Sequence, residues 1–139
     1  MQLTTVLKIR PSFFLILRTE ISRKIKQREK KNFNITLTGC GDAASAVKVT
    51  TSGTPDEADV MAFANNVSSG DGGATGVGIY VYETDNVTQF KPDGSTTETS
   101  SLTPSQDNTL TYKVAYVGTQ NSATAGKFSS TVNMKFEYQ

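Results

Sequence analysis

Phe128-Ser129-Ser130-Thr131-Val132-Asn133-Met134-Lys135-Phe136-Glu137-Tyr138-Gln139 is the stretch that decides the fold. From Val132 onward, Val132, Met134, Phe136 and Tyr138 alternate with Asn133, Lys135 and Glu137. Successive side chains of an extended chain point to opposite faces, so the pattern predicts a β-strand with one apolar and one wetted face. Proline is absent from it. Such a strand needs another strand beside it, and the pattern leaves open which segment supplies it.

Working back from that strand, residues 110–117 alternate in the same way, and residues 118–126 read as a loop. Val77-Gly78-Ile79-Tyr80-Val81-Tyr82 is apolar on both faces, which predicts a central strand covered on both sides. Residues 66–76 form a Gly/Ser/Asp loop, and Pro92-Asp93-Gly94 marks a turn. Val60-Met61-Ala62-Phe63-Ala64 fits either a strand or one helical turn. Val47-Lys48-Val49-Thr50-Thr51 is a short strand, followed by turn chemistry at residues 52–56. Residues 33–38 alternate until Gly39-Cys40-Gly41 ends the run. Short strands separated by turn signals predict an all-β sandwich.

Composition narrows the chemistry. A chain of 139 residues has room for one domain and an appendage. It contains no His, which removes the commonest general base and metal ligand. Its single Cys builds neither a thiolate cluster nor an internal disulfide. Gly76-Val77-Gly78 lacks the third glycine and following helix of a dinucleotide site. Asp56, Glu57 and Asp59 match no calcium-loop spacing and read as a solvated turn. Asn34-Ile35-Thr36 and Asn86-Val87-Thr88 are glycosylation sequons, relevant only in a eukaryotic secretory pathway. Serine and aspartate without histidine assemble no hydrolase triad. The expectation is a non-enzyme with no cofactor and no metal.

The charge divides the chain. Residues 1–31 carry nine Lys/Arg against Glu20 and Glu29, a net +7, whereas the remainder carries five basic and eleven acidic residues, a net −6. This places a boundary near Lys31, between a basic N-terminal segment (1–31) and a domain (32–139). Within the segment, Leu3, Thr5, Leu7 and Ile9 alternate as a weak strand until Pro11. Phe14, Leu17, Ile21 and Ile25 then fall at helical spacing among basic residues, so the segment reads as helical or disordered. Its longest apolar run, Phe13-Phe14-Leu15-Ile16-Leu17, falls short of a secretory signal and of a membrane span. The favoured reading is a displaced or misread start. A surface for anionic lipid or nucleic acid is the alternative, and no nucleic-acid partner is expected.

Three motifs carry a family resemblance: Phe33-Asn34-Ile35-Thr36-Leu37-Thr38-Gly39-Cys40, then Thr75-Gly76-Val77-Gly78-Ile79, then the ending Phe136-Glu137-Tyr138-Gln139. In this order they resemble type 1 fimbrial subunits, the pilins of the chaperone–usher pathway, over roughly residues 32–139; residues 1–31 do not match. The resemblance implies an incomplete immunoglobulin-like β-sandwich lacking its last strand. It implies a structural subunit of an adhesive pilus, polymerising by donor-strand complementation and exchange. Its partners would be a periplasmic pilus chaperone, an outer-membrane usher and other pilin subunits, and its place a fimbrium on the bacterial surface, reached through the periplasm. Val132, Met134, Phe136 and Tyr138 would line the donor-strand groove, and the Gln139 carboxylate would anchor basic chaperone residues.

Two departures accompany the likeness. Family subunits pair two cysteines, and no Cys occurs in residues 1–39, so Cys40 is left without that partner. Residues 1–31 show no export signal, first strand or glycine-containing donor extension, and the alternation from Leu3 to Ile9, flanked by Lys8 and Arg10, makes a poor plug. The expectation is a 5′-truncated or frame-disrupted pilin. The alternative is a pilin-type or immunoglobulin-like domain of a surface adhesin that binds glycan.

Overall fold

The structure, a computed structural model, describes the backbone of residues 2–9 and the whole of residues 30–139. Its strands are β1 (Gln2–Ile9), β2 (Lys31–Leu37), β3 (Ala46–Ser52), β4 (Phe63–Ala64), β5 (Val77–Tyr82), β6 (Gln89–Phe90), β7 (Thr97–Ser101), β8 (Asn108–Gly118) and β9 (Ser130–Tyr138). The helical spacing read from Phe14 to Ile25 lies outside the described residues.

Two antiparallel sheets face each other. One runs β1-β9-β3-β7; the other runs β2-β8-β5-β4, with β6 also paired to β5. The side chains between them are the core: Val47 and Val49 from β3, and Val132, Met134 and Phe136 from β9, meet Ile79 and Val81 of β5 and Tyr112 of β8, all fully buried. Phe33 and Phe90 lean on the Tyr112 ring, at 5.5 Å and 5.9 Å between centroids. This is the two-layer sandwich that the alternating strands predict.

β5 holds the internal place expected of a strand apolar on both faces. β8 lies along one edge, while β4 and β6 share the other. Val77, Ile79 and Val81 enter the main core. Gly78 and Tyr82 are also buried, and so are their ladder neighbourhood's Ala115 and Val117, with Ala62 beside them. A Cβ on Gly78 would stand 2.9 Å from the Phe63 carbonyl oxygen and 3.0 Å from Ala62 Cβ. The glycine therefore lets β4 lie close, and the Gly76-Val77-Gly78 pattern has a packing cause.

Two strands carry no apolar alternation. β7 reads Thr-Glu-Thr-Ser-Ser and is exposed or half-buried throughout, yet it pairs with β3 from Ala46↔Ser101 to Thr50↔Thr97. Backbone groups make that ladder, and a polar edge strand resists pairing with a second molecule. β4 settles the choice at residues 60–64 as a two-residue strand after a turn in which Asp56 Oδ1 accepts from the Ala58 and Asp59 amides.

Asn65 ties the long loops down. Its Nδ2 donates to the carbonyls of Ala74 and Lys127, both at 2.9 Å, and its Oδ1 accepts from the amides of Val67 and Ser129. These bonds hold residues 66–76 against the segment that leads into β9.

Candidate functional site

β9 is the strand on which the functional reading turns. Its burial alternates as the sequence predicts: Ser130, Val132, Met134 and Phe136 are buried, and Lys135 is exposed. Fully burying Val132, Met134 and Phe136 stabilises the fold by roughly 1.5–3 kcal/mol per side chain. On the outer face Lys135 and Glu137 form an ion pair at 3.4 Å.

Of the five residues expected at a groove, the structure brings three into the core. Val132, Met134 and Phe136 lie at 0% exposure. Tyr138 is half-buried, opposite Val47 in the β3–β9 ladder, and packs at the margin of the core. Burial, with the Cys40 thiol beside it, raises the Tyr138 phenol above its ordinary pKa. Gln139 is exposed; its amide donates to the Ala46 carbonyl at 2.9 Å, and Ser45 Oγ donates to its carbonyl oxygen at 3.5 Å.

β9 is internal to its sheet. β3 lies along one side, with Thr51↔Met134 and Val49↔Phe136 in register. Along the other side runs β1, antiparallel, in an eight-residue ladder: Gln2↔Glu137, Leu3↔Phe136, Thr5↔Met134, Leu7↔Val132 and onward to Ile9↔Ser130. The strand that completes the sheet thus comes from the far end of the chain. The alternation of Leu3, Thr5, Leu7 and Ile9 was the one signal for it, and the register sets those four positions against Phe136, Met134, Val132 and Ser130.

Cys40, at 8% exposure, is a free thiol. Its Sγ donates to the Leu37 carbonyl at 3.7 Å and accepts from Asn108 Nδ2 at 3.5 Å. Asn108 also donates to the carbonyls of Thr103 and Gln106 and accepts from the Thr103 amide, so it braces the turn before β8 against the end of β2.

A second cluster escaped sequence reading. Thr84 donates its amide (3.0 Å) and its hydroxyl (2.6 Å) to Glu98 Oε2, joining the end of β5 in one sheet to β7 in the other. Glu83, at 9% exposure, has its carboxyl pushed up to about 7, first by burial and then by the charges of Glu98 and Asp85. The Tyr112 phenol is raised by burial and by the same Glu98 and Glu83. Lys30 stands alongside, its Nζ donating to the Asn86 carbonyl at 2.8 Å and lying 4.0 Å over the Tyr82 ring. Only contact through the fold unites these residues, so no motif announces them.

Nothing in this arrangement supplies a nucleophile and base in register. Among the described residues no group of three or more Cys, Asp or Glu side chains is placed to hold a metal ion, and no helix is long and apolar enough to cross a membrane. What the site offers is an apolar strand with a backbone ladder along each side.

The comparisons with known proteins agree with that geometry. A family model described as fimbrial protein matches residues 15–139. The laminin-binding fimbrial subunit ElfA of Escherichia coli O157:H7 is 40% identical over 90 residues, which are 64% of this chain and 47% of that protein. Fimbrial subunit ElfA of E. coli K12 is 39% identical over the same share. The chain therefore spans about half the length of the curated relatives it matches. Among solved structures, a Burkholderia pseudomallei antigen and type I fimbria protein superposes with a TM-score of 0.72 at 20% identity, covering 99% of this chain and all of that one. The P pilus rod subunit PapA superposes with a TM-score of 0.67 at 20% identity, covering 83% of this chain and 82% of its own. Likenesses at that identity establish the shared sandwich; the match along 15–139 establishes descent, and the chain belongs to the fimbrial protein family.

Proposed function

We propose that this protein is a structural, non-enzymatic subunit of an adhesive pilus on the bacterial surface, joined to its neighbours by donor-strand complementation and exchange. The observation that carries the reading is the β1–β9 ladder. Gln2–Ile9 pairs along one side of β9, the apolar strand that contributes Val132, Met134 and Phe136 to the core. In strand addition, backbone hydrogen bonds supply affinity and alternate side chains supply register. A strand from a second subunit can satisfy the same edge, which otherwise would be a site of aggregation. On this reading Val132, Met134, Phe136 and Tyr138 form the floor against which a donor strand packs, and Gln139 closes the end of the ladder. Residues 32–139 then form the accepting body, and residues 1–31 a separate appended segment.

Family membership supports other pilin subunits as partners. A periplasmic chaperone and an outer-membrane usher complete the proposed route. The test is to express residues 30–139 with a signal peptide together with a pilus chaperone, and to isolate the chaperone from the periplasm by its tag. Stoichiometric recovery of the domain is expected. A soluble domain that never enters the chaperone complex would overturn the assignment.

The similarity to the laminin-binding fimbrial subunit of E. coli O157:H7 favours an adhesive contribution. By this analogy the assembled pilus would bind a matrix glycoprotein. Solid-phase binding of purified fibres to laminin, compared with albumin, tests it; equal signals on both would remove it.

A further inference from the structure

We propose that the cleft between β7 and the start of β8 is a binding site for neutral saccharides. It rests on the pilus reading only for avidity, since its geometry belongs to the sandwich itself.

The cleft follows from the topology. β5 runs along β8 from Gly118 back to Lys113, and its ladder ends at Tyr82. Over residues 108–112, β8 therefore has β2 along one side and, among the described residues, no strand along the other. β7 is the last strand of its own sheet and pairs only with β3. Two strand edges without a partner thus flank an open cleft of about 540 Å³, a volume within the range of small-molecule sites. In an antiparallel ladder alternate residues turn their N–H and C=O away from the partner strand. Both edges accordingly present backbone donors and acceptors that the sheets already hold in place, so a ligand pays little ordering entropy to meet them.

The lining decides the chemistry. Thr84, Thr99, Ser100, Ser101, Thr109 and Thr111 supply six hydroxyls, and Leu110 is the apolar member. Small-molecule pockets are ordinarily lined by apolar and aromatic side chains, so this one suits a ligand that is itself covered in hydroxyls. A Ser or Thr hydroxyl has one proton to donate and two lone pairs. Thr84 donates to Glu98 Oε2 at 2.6 Å, Ser100 to Glu98 Oε1 at 3.4 Å and Thr111 to Asn34 Oδ1 at 2.8 Å. Those three present only acceptors to a ligand. Thr99 and Ser101, both exposed and two residues apart on β7, have no side-chain hydrogen bond and are free to donate. Sugar hydroxyls both donate and accept, so fixed acceptors beside free donors match them. Leu110 offers an apolar contact to the C–H face of a ring.

Charge selects among sugars. The lining contains no Lys or Arg, and the Glu98 carboxylate stands directly behind Thr84 and Ser100. Glu83 and Asp85 flank Thr84 in sequence. A sialylated or sulfated ligand would meet repulsion with no cation in the lining to offset it. A cleft this open binds one sugar weakly, and many copies along a fibre supply the avidity.

The test uses the full chain with lactose and, as its anionic counterpart, sialyllactose, followed by saturation-transfer NMR and by titration of amide shifts. Thr99→Val/Ser101→Ala removes the two free donors at exposed positions, and Thr97→Val alters the same strand outside the lining. Lactose is expected to bind in the millimolar range, to shift the amides of Thr99 to Ser101 and Thr109 to Thr111, and to bind better than sialyllactose. The double variant, with an unchanged urea midpoint, should bind lactose about tenfold more weakly, and Thr97→Val should bind it as the unmodified chain does.

No saturation transfer to lactose, equal affinity of the double variant, or tighter binding of sialyllactose would each overturn the site. If the double variant does not fold, Thr99→Val alone decides. Recovery with a pilus chaperone keeps the two readings apart. Lost sugar binding with intact recovery refutes the cleft alone, whereas an unmodified chain that binds lactose but never enters the chaperone complex refutes the subunit reading and leaves the cleft standing.

Discussion

Phe136 lies directly opposite Val49 in the β3–β9 ladder, and both are fully buried. That pairing makes the last strand a structural member of the sandwich before it is anything else. Phe136→Ala should destabilise the domain by about 3–5 kcal/mol, read as a lower urea midpoint. Lys135→Ala, one residue away with its side chain 46% exposed, should change stability by less than about 0.5 kcal/mol. Matching midpoints for the two variants would refute the burial assigned to β9.

The same pairing bears on how a strand-accepting edge is probed. Aspartate at Met134 or Phe136 would place an unpaired charge in the core and unfold the domain. Loss of chaperone binding in such variants therefore reports on folding.

Glu83 predicts a pH dependence. Its carboxyl is raised from the usual carboxylate value to about 7, so the folded chain holds a proton that the unfolded chain releases near 4.5. A group with a raised folded pKa contributes stability that is complete below the unfolded value and lost as pH rises through the folded one. Stability should fall between pH 5 and pH 8, and Glu83→Gln should flatten the decline. Asp85 and Asp93, both lowered chiefly by side-chain hydrogen bonds, act with the opposite sign at more acidic pH. Urea midpoints at pH 5 and pH 8 decide it; a wild-type chain more stable at pH 8 would contradict the placement of Glu83.

Asn65 predicts a local opening. Asn65→Ala removes four hydrogen bonds that join two loops and leaves the Val67 and Ser129 amides without that acceptor. A loss of about 1–3 kcal/mol is expected, with faster amide exchange at Val67 and Ser129 than at Val49. Unchanged exchange at those two amides would show that the loops are held by other means.

Gly76 predicts a backbone effect. Its φ is +70°, and a Cβ there would stand 2.3 Å from the Ser122 carbonyl oxygen. Gly76→Ala should cost more than about 1 kcal/mol, whereas Gly70→Ala, with only Ser68 Oγ nearby at 3.9 Å, should fall within about 0.5 kcal/mol. Thermal melts of the two variants side by side test the contrast.

Much of this architecture was legible along the chain. Alternation at β2, β3, β8 and β9 and the two-sided apolar run of β5 located five strands within one or two residues of their observed ends. β7 and β6 were not legible: Thr97–Ser101 offers only polar side chains, and Gln89–Phe90 is two residues long. Their pairing is made by backbone groups, which every residue except proline carries. The apolar face of β9 was legible at Val132, Met134 and Phe136, which are buried, whereas Tyr138 lies at its margin, and the cluster of Glu83, Thr84 and Glu98 was not foreseen.

Periodicity is a local property, since the pleat turns every second side chain to the same face whatever lies beside the strand. From it followed the class of fold and the inward face of β9, and composition alone withheld a histidine base and a second thiol. Choosing the neighbour is a long-range matter, settled by which edges meet in register once two sheets have closed on a common core. Only the tertiary structure therefore decided that Gln2–Ile9 lies along β9 and that β7 guards the opposite edge. It likewise decided that Glu83 is buried beside Glu98, because proximity across two sheets leaves no trace in the order of residues.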